Sequence, residues 1–320
     1  MLSWRPSARA LRRTFLAALV MNTVIVVTGG AVRLTASGLG CPEVPRCTDE
    51  SLVVTREMGA HGFIEFGNRL LTFAVTAAVV AALVTGWRAR RRDLTARALL
   101  LFLGTAGQAV LGAVTVITGL HPVTVMAHFL LSMVLIAVAV DAYARAGGGP
   151  ASTVTDLRRE LALLVRLLIA SVAVTLALGT VVTGTGPHSG DDDATNRLPF
   201  DLASVTQLHA DFVFLTFGLT IGVLVGARLV AAHEVAGQAR VLLGVTLAQG
   251  VIGYAQYVTD LPVVLVGLHV LGASLVWIAA LRVAVAARRT GQSSSSRNST
   301  RESSDDRSSS SKLGTPLSVH

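Results

Sequence analysis

Eight predominantly apolar runs, each close to the length of a membrane span, divide this chain at about 15–33, 66–87, 98–118, 124–143, 162–184, 204–227, 240–258 and 263–286. Crossing about 30 Å of hydrocarbon takes about 20 residues of helix, so the pattern predicts eight transmembrane helices. The connections between them alternate in character. Arginines crowd into Arg88 to Arg97, Arg145 to Arg166 and Arg228 to Arg240. Arg5, Arg9, Arg12 and Arg13 precede the first run, and more basic residues follow the last. Placing these segments in the cytoplasm leaves only Arg33, Arg46, Arg56, Arg69 and Arg197, of 27 Lys+Arg, near or beyond the outer face. That is the asymmetry of the positive-inside rule, and it puts both termini in the cytoplasm of a multi-pass protein of the cell membrane. The first run is longer than a usual signal-peptide core and lacks a clear small-x-small cleavage site, so it reads as a retained helix.

Composition supports this reading. Hydrophobic residues make up 52% of the chain and charged residues 14%, against about a quarter charged in water-soluble domains. The net charge of +8 is spread over separate short clusters with no zinc-finger, RNP or helix-turn-helix pattern, which argues against a nucleic-acid partner. The expected surroundings are a lipid bilayer. From Gly291 onward the chain is Ser-, Arg- and Asp-rich, a composition that buries no core and predicts disorder.

The chain also repeats itself. Gln108-Ala109-Val110-Leu111-Gly112 recurs as Gln249-Gly250-Val251-Ile252-Gly253, and the same offset of 141 takes His128 to His269 and Asn68 to His209. Thr28-Gly29 matches Thr183-Gly184 with a different spacing. The expected fold is an all-α integral membrane protein whose eight helices form two tandem four-helix bundle repeats of the same orientation. The divisions are a cytoplasmic N-terminus (1–14), an N-terminal half (15–143), a cytoplasmic linker (144–161), a C-terminal half (162–286) and a disordered tail (287–320). Duplications of this kind place paired sites in equivalent positions of the two halves.

Ionisable residues inside a membrane are costly and mark functional positions. His128, His209 and His269 each fall one or two turns into a helix that enters from the outer side, and so at one depth. Histidines from neighbouring helices at matched depth suit axial ligation of a haem iron. His209 and His269, both in the second half, form the best pair. No Cys-x-x-Cys-His is present, so covalent attachment is not expected. In the first half His61, Glu65, Asn68 and Arg69 share a helix face. Glu65 reads either as one half of an i,i+4 ion pair with Arg69 or as a buried carboxylate beside a cofactor, available as acid, base or ligand to an intermediate. His121 lies near the outer interface, His188, His233 and His320 read as solvated, and Asp211 is open to a partner on a neighbouring helix. Cys41 and Cys47 lie in the first outer loop, where five intervening residues permit a bridge in an oxidising compartment. That bridge would be a structural staple or an exchanging redox pair.

The run from Thr28 to Pro42 (TGGAVRLTASGLGCP), the segment Ile64-Glu65-Phe66-Gly67 and the loop Gly186-Pro187-His188-Ser189-Gly190-Asp191 resemble the signatures of the haem A synthases. The resemblance extends over about residues 12–286. It implies oxidation of the C8 methyl group of haem O to a formyl group through a hydroxymethyl intermediate. It also implies a haem b between His209 and His269, a haem O substrate facing His128, Glu65 as the essential carboxylate, and a Cys41–Cys47 disulfide. Association with the haem O synthase, an electron donor of unknown identity, and homo-oligomers are further implications. One departure stands out: Asn68 occupies the position where many such proteins carry histidine. An amide is a poor iron ligand, so His128 is the firm ligand there, Asn68 is expected to hydrogen-bond, and His61 is a substitute ligand. A quinol-linked di-haem cytochrome and a haem carrier are the competing classes. The first predicts histidine pairs at two depths and the second broken helices near the midplane.

Overall fold

The computed structural model describes residues 5–148, 159–191 and 196–310, with side chains through Arg289. Among the described residues are eight long helices and one short 3-10 turn: α1 (Ala8–Leu34), the turn Arg56–Met58, α2 (Gly59–Arg88), α3 (Arg92–Ile117), α4 (Pro122–Ala146), α5 (Arg159–Thr185), α6 (Leu202–Leu229), α7 (His233–Val258) and α8 (Val263–Ser310). Each is long and apolar enough to cross a membrane, α8 by its portion Val263–Arg289. The protein is an all-helical, multi-pass membrane protein.

The helices begin earlier than the apolar runs predict. α1 starts at Ala8, inside the segment read as an N-terminal extension, and α7 starts at His233 rather than near 240. Hydropathy marks the hydrocarbon-facing length, whereas the helix continues through arginine-bearing turns whose long side chains reach polar partners. Arg12 donates to the Tyr143 hydroxyl at 3.1–3.2 Å and stands over its ring. The linker expectation for 144–161 includes residues 149–158, and the tail expectation for 287–320 includes 311–320. Both stretches lie outside the described residues, and the helical assignment of α8 continues to Ser310.

α1 to α4 pack as a closed ring in which each helix touches its chain neighbours and α1 meets α4. α5 to α8 do the same, with α5 meeting α8. In neither ring do the diagonal pairs, α2 with α4 and α6 with α8, make close backbone contact. The two rings join along α1, α4, α5 and α8. Their joint core includes Phe15, Leu168, Ile136 and Val283, all fully buried. The Trp277 indole N–H on α8 donates to the Met133 carbonyl on α4 at 2.8 Å, a polar tie across the join where no water competes.

The ends of the bundle differ. At the end carrying the α2–α3, α4–α5 and α6–α7 connections, Asp141 accepts from Arg97 of α3, from Arg145 of α4 at 2.8 Å and pairs with Arg288 of α8 at 3.0 Å. Arg289 and Arg91 reach the final carbonyls of α4, Ala144 and Arg145, where cations complement the helix dipole. This is the arginine end. The opposite, loop end holds the long connections. Gly38 N–H donates to the Gly190 carbonyl at 2.7 Å. Arg33 donates from Nε to the His188 carbonyl at 2.7 Å and from Nη2 to that of Thr183 at 2.9 Å. The first and third loops therefore form one cover.

Candidate functional site: a facing histidine pair and its altered counterpart

α4, α6 and α8 all run inward from the loop end, and His128, His209 and His269 follow six or seven residues after their starts. At 1.5 Å per residue this brings all three to about 9–11 Å along their helices, one common depth. His209 and His269 are brought together, with ring centroids 6.5 Å apart and planes at 65°. Sequence reasoning places such a pair on neighbouring helices, and the structure corrects this, since α6 and α8 are diagonal. Adjacent helix axes lie about 8–10 Å apart, so a diagonal is about 11–14 Å, a span that side chains reaching in from both helices can bridge.

The glycines of the preceding helices set the rings. A Cβ on Gly179 of α5 would stand 3.2 Å from His209 Cε1, and one on Gly253 of α7 would stand 3.1 Å from His269 Cε1. His209 Nδ1 is within 3.1 Å of the Thr175 carbonyl, one turn before Gly179. With Nδ1 as the donor there, Nε2 is left with a free lone pair. A metal–imidazole bond is about 2.0–2.1 Å and the ring centre lies about 1 Å further, so two axial imidazoles on one metal put their centroids about 6 Å apart. The observed separation fits an iron held between His209 and His269. Among the described residues no group of three or more His, Cys, Asp or Glu is placed to hold a metal ion by itself. A two-ligand arrangement suits a metal whose other positions are filled by a macrocycle.

The first ring uses the same frame with different residues. His128 on α4 is backed by Gly112 of α3, whose Cβ would lie 3.4 Å from its Cε1. Diagonally opposite, on α2, stands Asn68. Its Oδ1 accepts from the Thr28 hydroxyl at 2.7 Å, and Gly29 lies beside its amide nitrogen. Gly179, not Gly184, makes the contact to His209 that resembles that of Gly29 to Asn68. With its oxygen occupied, Asn68 offers an N–H donor rather than a lone pair.

The residues expected to share one face of α2 divide between two neighbours. Asn68 turns to α1, while Glu65, Arg69 and His61 turn to the first loop. Glu65 is only 5% exposed, and both oxygens are engaged. Oε2 accepts from the Cys41 N–H at 2.7 Å, and Oε1 accepts from Arg69 Nε at 3.0 Å and from its Nη2. The Arg69 guanidinium continues to the carbonyls of Cys41 at 2.6 Å, Glu43 at 2.9 Å and Arg46 at 3.2 Å. The i,i+4 ion pair is therefore real, and its buried carboxylate clamps the loop onto α2. Cys41 and Cys47 form a disulfide within that loop, Cα atoms 4.4 Å apart. Gly40 packs against the backbone of His61 and Gly62, where any Cβ would collide. His61 itself is exposed, with Nδ1 3.0 Å from the Ser37 hydroxyl.

Other sequence expectations are corrected. His188 is half-buried, its Nε2 3.0 Å from the Leu261 carbonyl, because the loop that carries it meets the connection between α7 and α8. His233 is the exposed first residue of α7, and His320 lies outside the described residues. Asp211 accepts from Gln207 of its own helix at 2.7 Å rather than from a neighbour, since both face outward on α6. Sequence reasoning missed Thr28 and Arg33 as contacts, and also Asp201. Asp201 caps α6 by accepting from the N–H and hydroxyl of Ser204 at 2.8 and 2.7 Å, bonds that hold its carboxyl below the usual range. An Asp followed three residues later by Ser, just before an apolar run, was a readable signal.

Fold and site together define a membrane-embedded helical bundle with a facing histidine pair in one four-helix ring and a histidine–asparagine diagonal in the other. The chain belongs to the cytochrome oxidase assembly protein family, whose profile matches residues 12–188. Proteins named heme A synthase from Bacillus cereus strain AH187 and Bacillus anthracis strain A0248 are 30% identical to it over 118 residues, 36% of this chain and 37% of theirs. The match thus spans little more than a third of those relatives.

Proposed function

We propose that this protein is a haem A synthase, an oxidoreductase of the cell membrane that converts the C8 methyl group of haem O to a formyl group through a hydroxymethyl intermediate. The observation that carries the reading is the His209–His269 pair at 6.5 Å, in a chain of this family. In this reading residues 15–143 and 162–286 are tandem copies of one unit, and the loop end faces outward. His209 and His269 hold the iron of a haem b, which supplies one-electron chemistry in a low-dielectric site. His128 faces the iron of the haem O substrate, and Asn68 contributes its amide N–H, leaving one side of that iron without a strong protein ligand. Glu65 acts on the first site by holding the disulfide loop over it through Cys41 and Arg69, a positioning role. His61, tied to Ser37, stays at the rim. The haem O synthase is the partner that supplies the substrate.

Expression in a host that makes haem O but no haem A, followed by haem extraction, tests the reading. Hydroxylated haem and haem A are the expected products, and haem b and haem O alone would refute it. Within the first site, His128→Ala should abolish the substrate-haem ligation signal and Asn68→Ala should leave it. The reverse result would overturn the division of roles between them.

A further inference from the structure

Gln108 and Gln249, the residues that first revealed the internal repeat, make one unusual contact in common. Gln249 Nε2 donates to the backbone carbonyl of His269 at 2.8 Å, and Gln108 Nε2 donates to that of His128 at 3.1 Å and to the Ser132 hydroxyl at 2.6 Å. Each glutamine stands four residues before the glycine that backs the same histidine, Gly253 or Gly112. On a helix that spacing puts amide and gap on one face. α3 and α7 therefore each present Gln-x-x-x-Gly to the helix that follows. The gap receives the ring, and the amide grips the backbone that carries it. In the second half the fit extends further, because a Cβ on Gly272 would run into the Gln249 amide.

The energetics separate this from ordinary packing. Both glutamine oxygens, Gln108 Oε1 and Gln249 Oε1, are buried without a hydrogen-bond partner. An amide half-satisfied in an apolar bundle is less favourable there than an apolar side chain of the same shape. The half that is satisfied goes to the carbonyl of the ligand-position residue itself. His128 and His269 also lack what His209 has: their Nδ1 atoms are buried without a partner, whereas His209 Nδ1 faces the Thr175 carbonyl. The two rings least held by their own nitrogens are the two whose backbones are held by glutamine. A histidine Nε2 stands about 6 Å from its helix axis, so turning that helix by about 10° moves the nitrogen by about 1 Å, too far to keep a metal bond. We infer that Gln108 and Gln249 are positioning residues that fix the rotation of α4 and α8 and thereby the aim of His128 and His269 at their irons.

This rests on the haem assignment above, and the test separates the two. Gln249→Met keeps the volume and removes the donor. In protein purified with its haem, the expected result is a ferrous haem b that still binds but takes up carbon monoxide about tenfold faster, because His269 leaves more readily, with shifted low-spin g-values. Gln108→Met should leave that haem unchanged and alter only the haem facing His128. Carbon monoxide kinetics and g-values in Gln249→Met matching the unaltered protein would overturn the inference while leaving the haem assignment intact. Absence of a bis-histidine haem from the unaltered protein would overturn the assignment itself.

Discussion

In the second four-helix ring the diagonal positions hold His209 and His269, with ring centroids 6.5 Å apart. In the first they hold Asn68 and His128, and Asn68 has turned its oxygen to Thr28. The surrounding devices recur: a glycine on the preceding helix, a glutamine on α3 or α7, matched depth. In the haem reading proposed above, what differs is the ability to close both sides of an iron. A frame with two imidazoles suits a cofactor that stays, and one with an imidazole and an amide suits a ligand that must enter, react and leave. The loops differ in the same sense. Glu65 and Arg69 bind a disulfide-closed loop onto α2 of the first ring, so the ring with the weaker ligand set carries the more elaborate cover.

The sharpest way to break this contrast is to remove one member of the closed pair. His269→Ala should eliminate nearly all low-spin b-type haem from the purified protein, read as a pyridine haemochrome, and unchanged haem content would erase the difference between the rings. Asn68→His runs the other way. It should create a second closed pair, raise retained low-spin haem from one to two per chain and slow turnover; an unchanged stoichiometry would mean that residue identity at 68 does not set retention. Arg69→Ala leaves the Glu65 carboxylate buried without its cation, a loss of about 3 kcal/mol. Thermal unfolding and protease cleavage between residues 38 and 58 should register it, with the second-ring haem spectrum unmoved. The smallest effect belongs to Thr28→Val, which removes one hydrogen bond worth about 1 kcal/mol and frees the Asn68 amide to rotate. It should broaden the spectrum of haem bound in the first ring only.

Much of this was legible in the order of residues. The eight spans were, because an apolar run of about twenty residues has few other stable fates, and so were the three half-buried histidines within them, because a lipid-soluble helix excludes such groups unless they serve a purpose. The Glu65–Arg69 pair followed from i,i+4 spacing. Helix ends were not legible, since arginine-bearing turns such as that of Arg12 continue the helix by finding partners as distant as Tyr143. His188, read as solvated, is held against Leu261 by loops that meet only in the fold.

Sequence by itself determined which residues lie within the membrane spans, at what depth, and that one half lacks a histidine the other has. These follow from local periodicity and from the cost of burying charge, which each helix meets alone. Only the tertiary structure decided that His209 and His269 face each other diagonally, that Asn68 spends its oxygen on Thr28, and that Glu65 reaches across to Cys41. Those outcomes depend on how four helices close into a ring, and that closure is set by contacts between residues far apart in the chain.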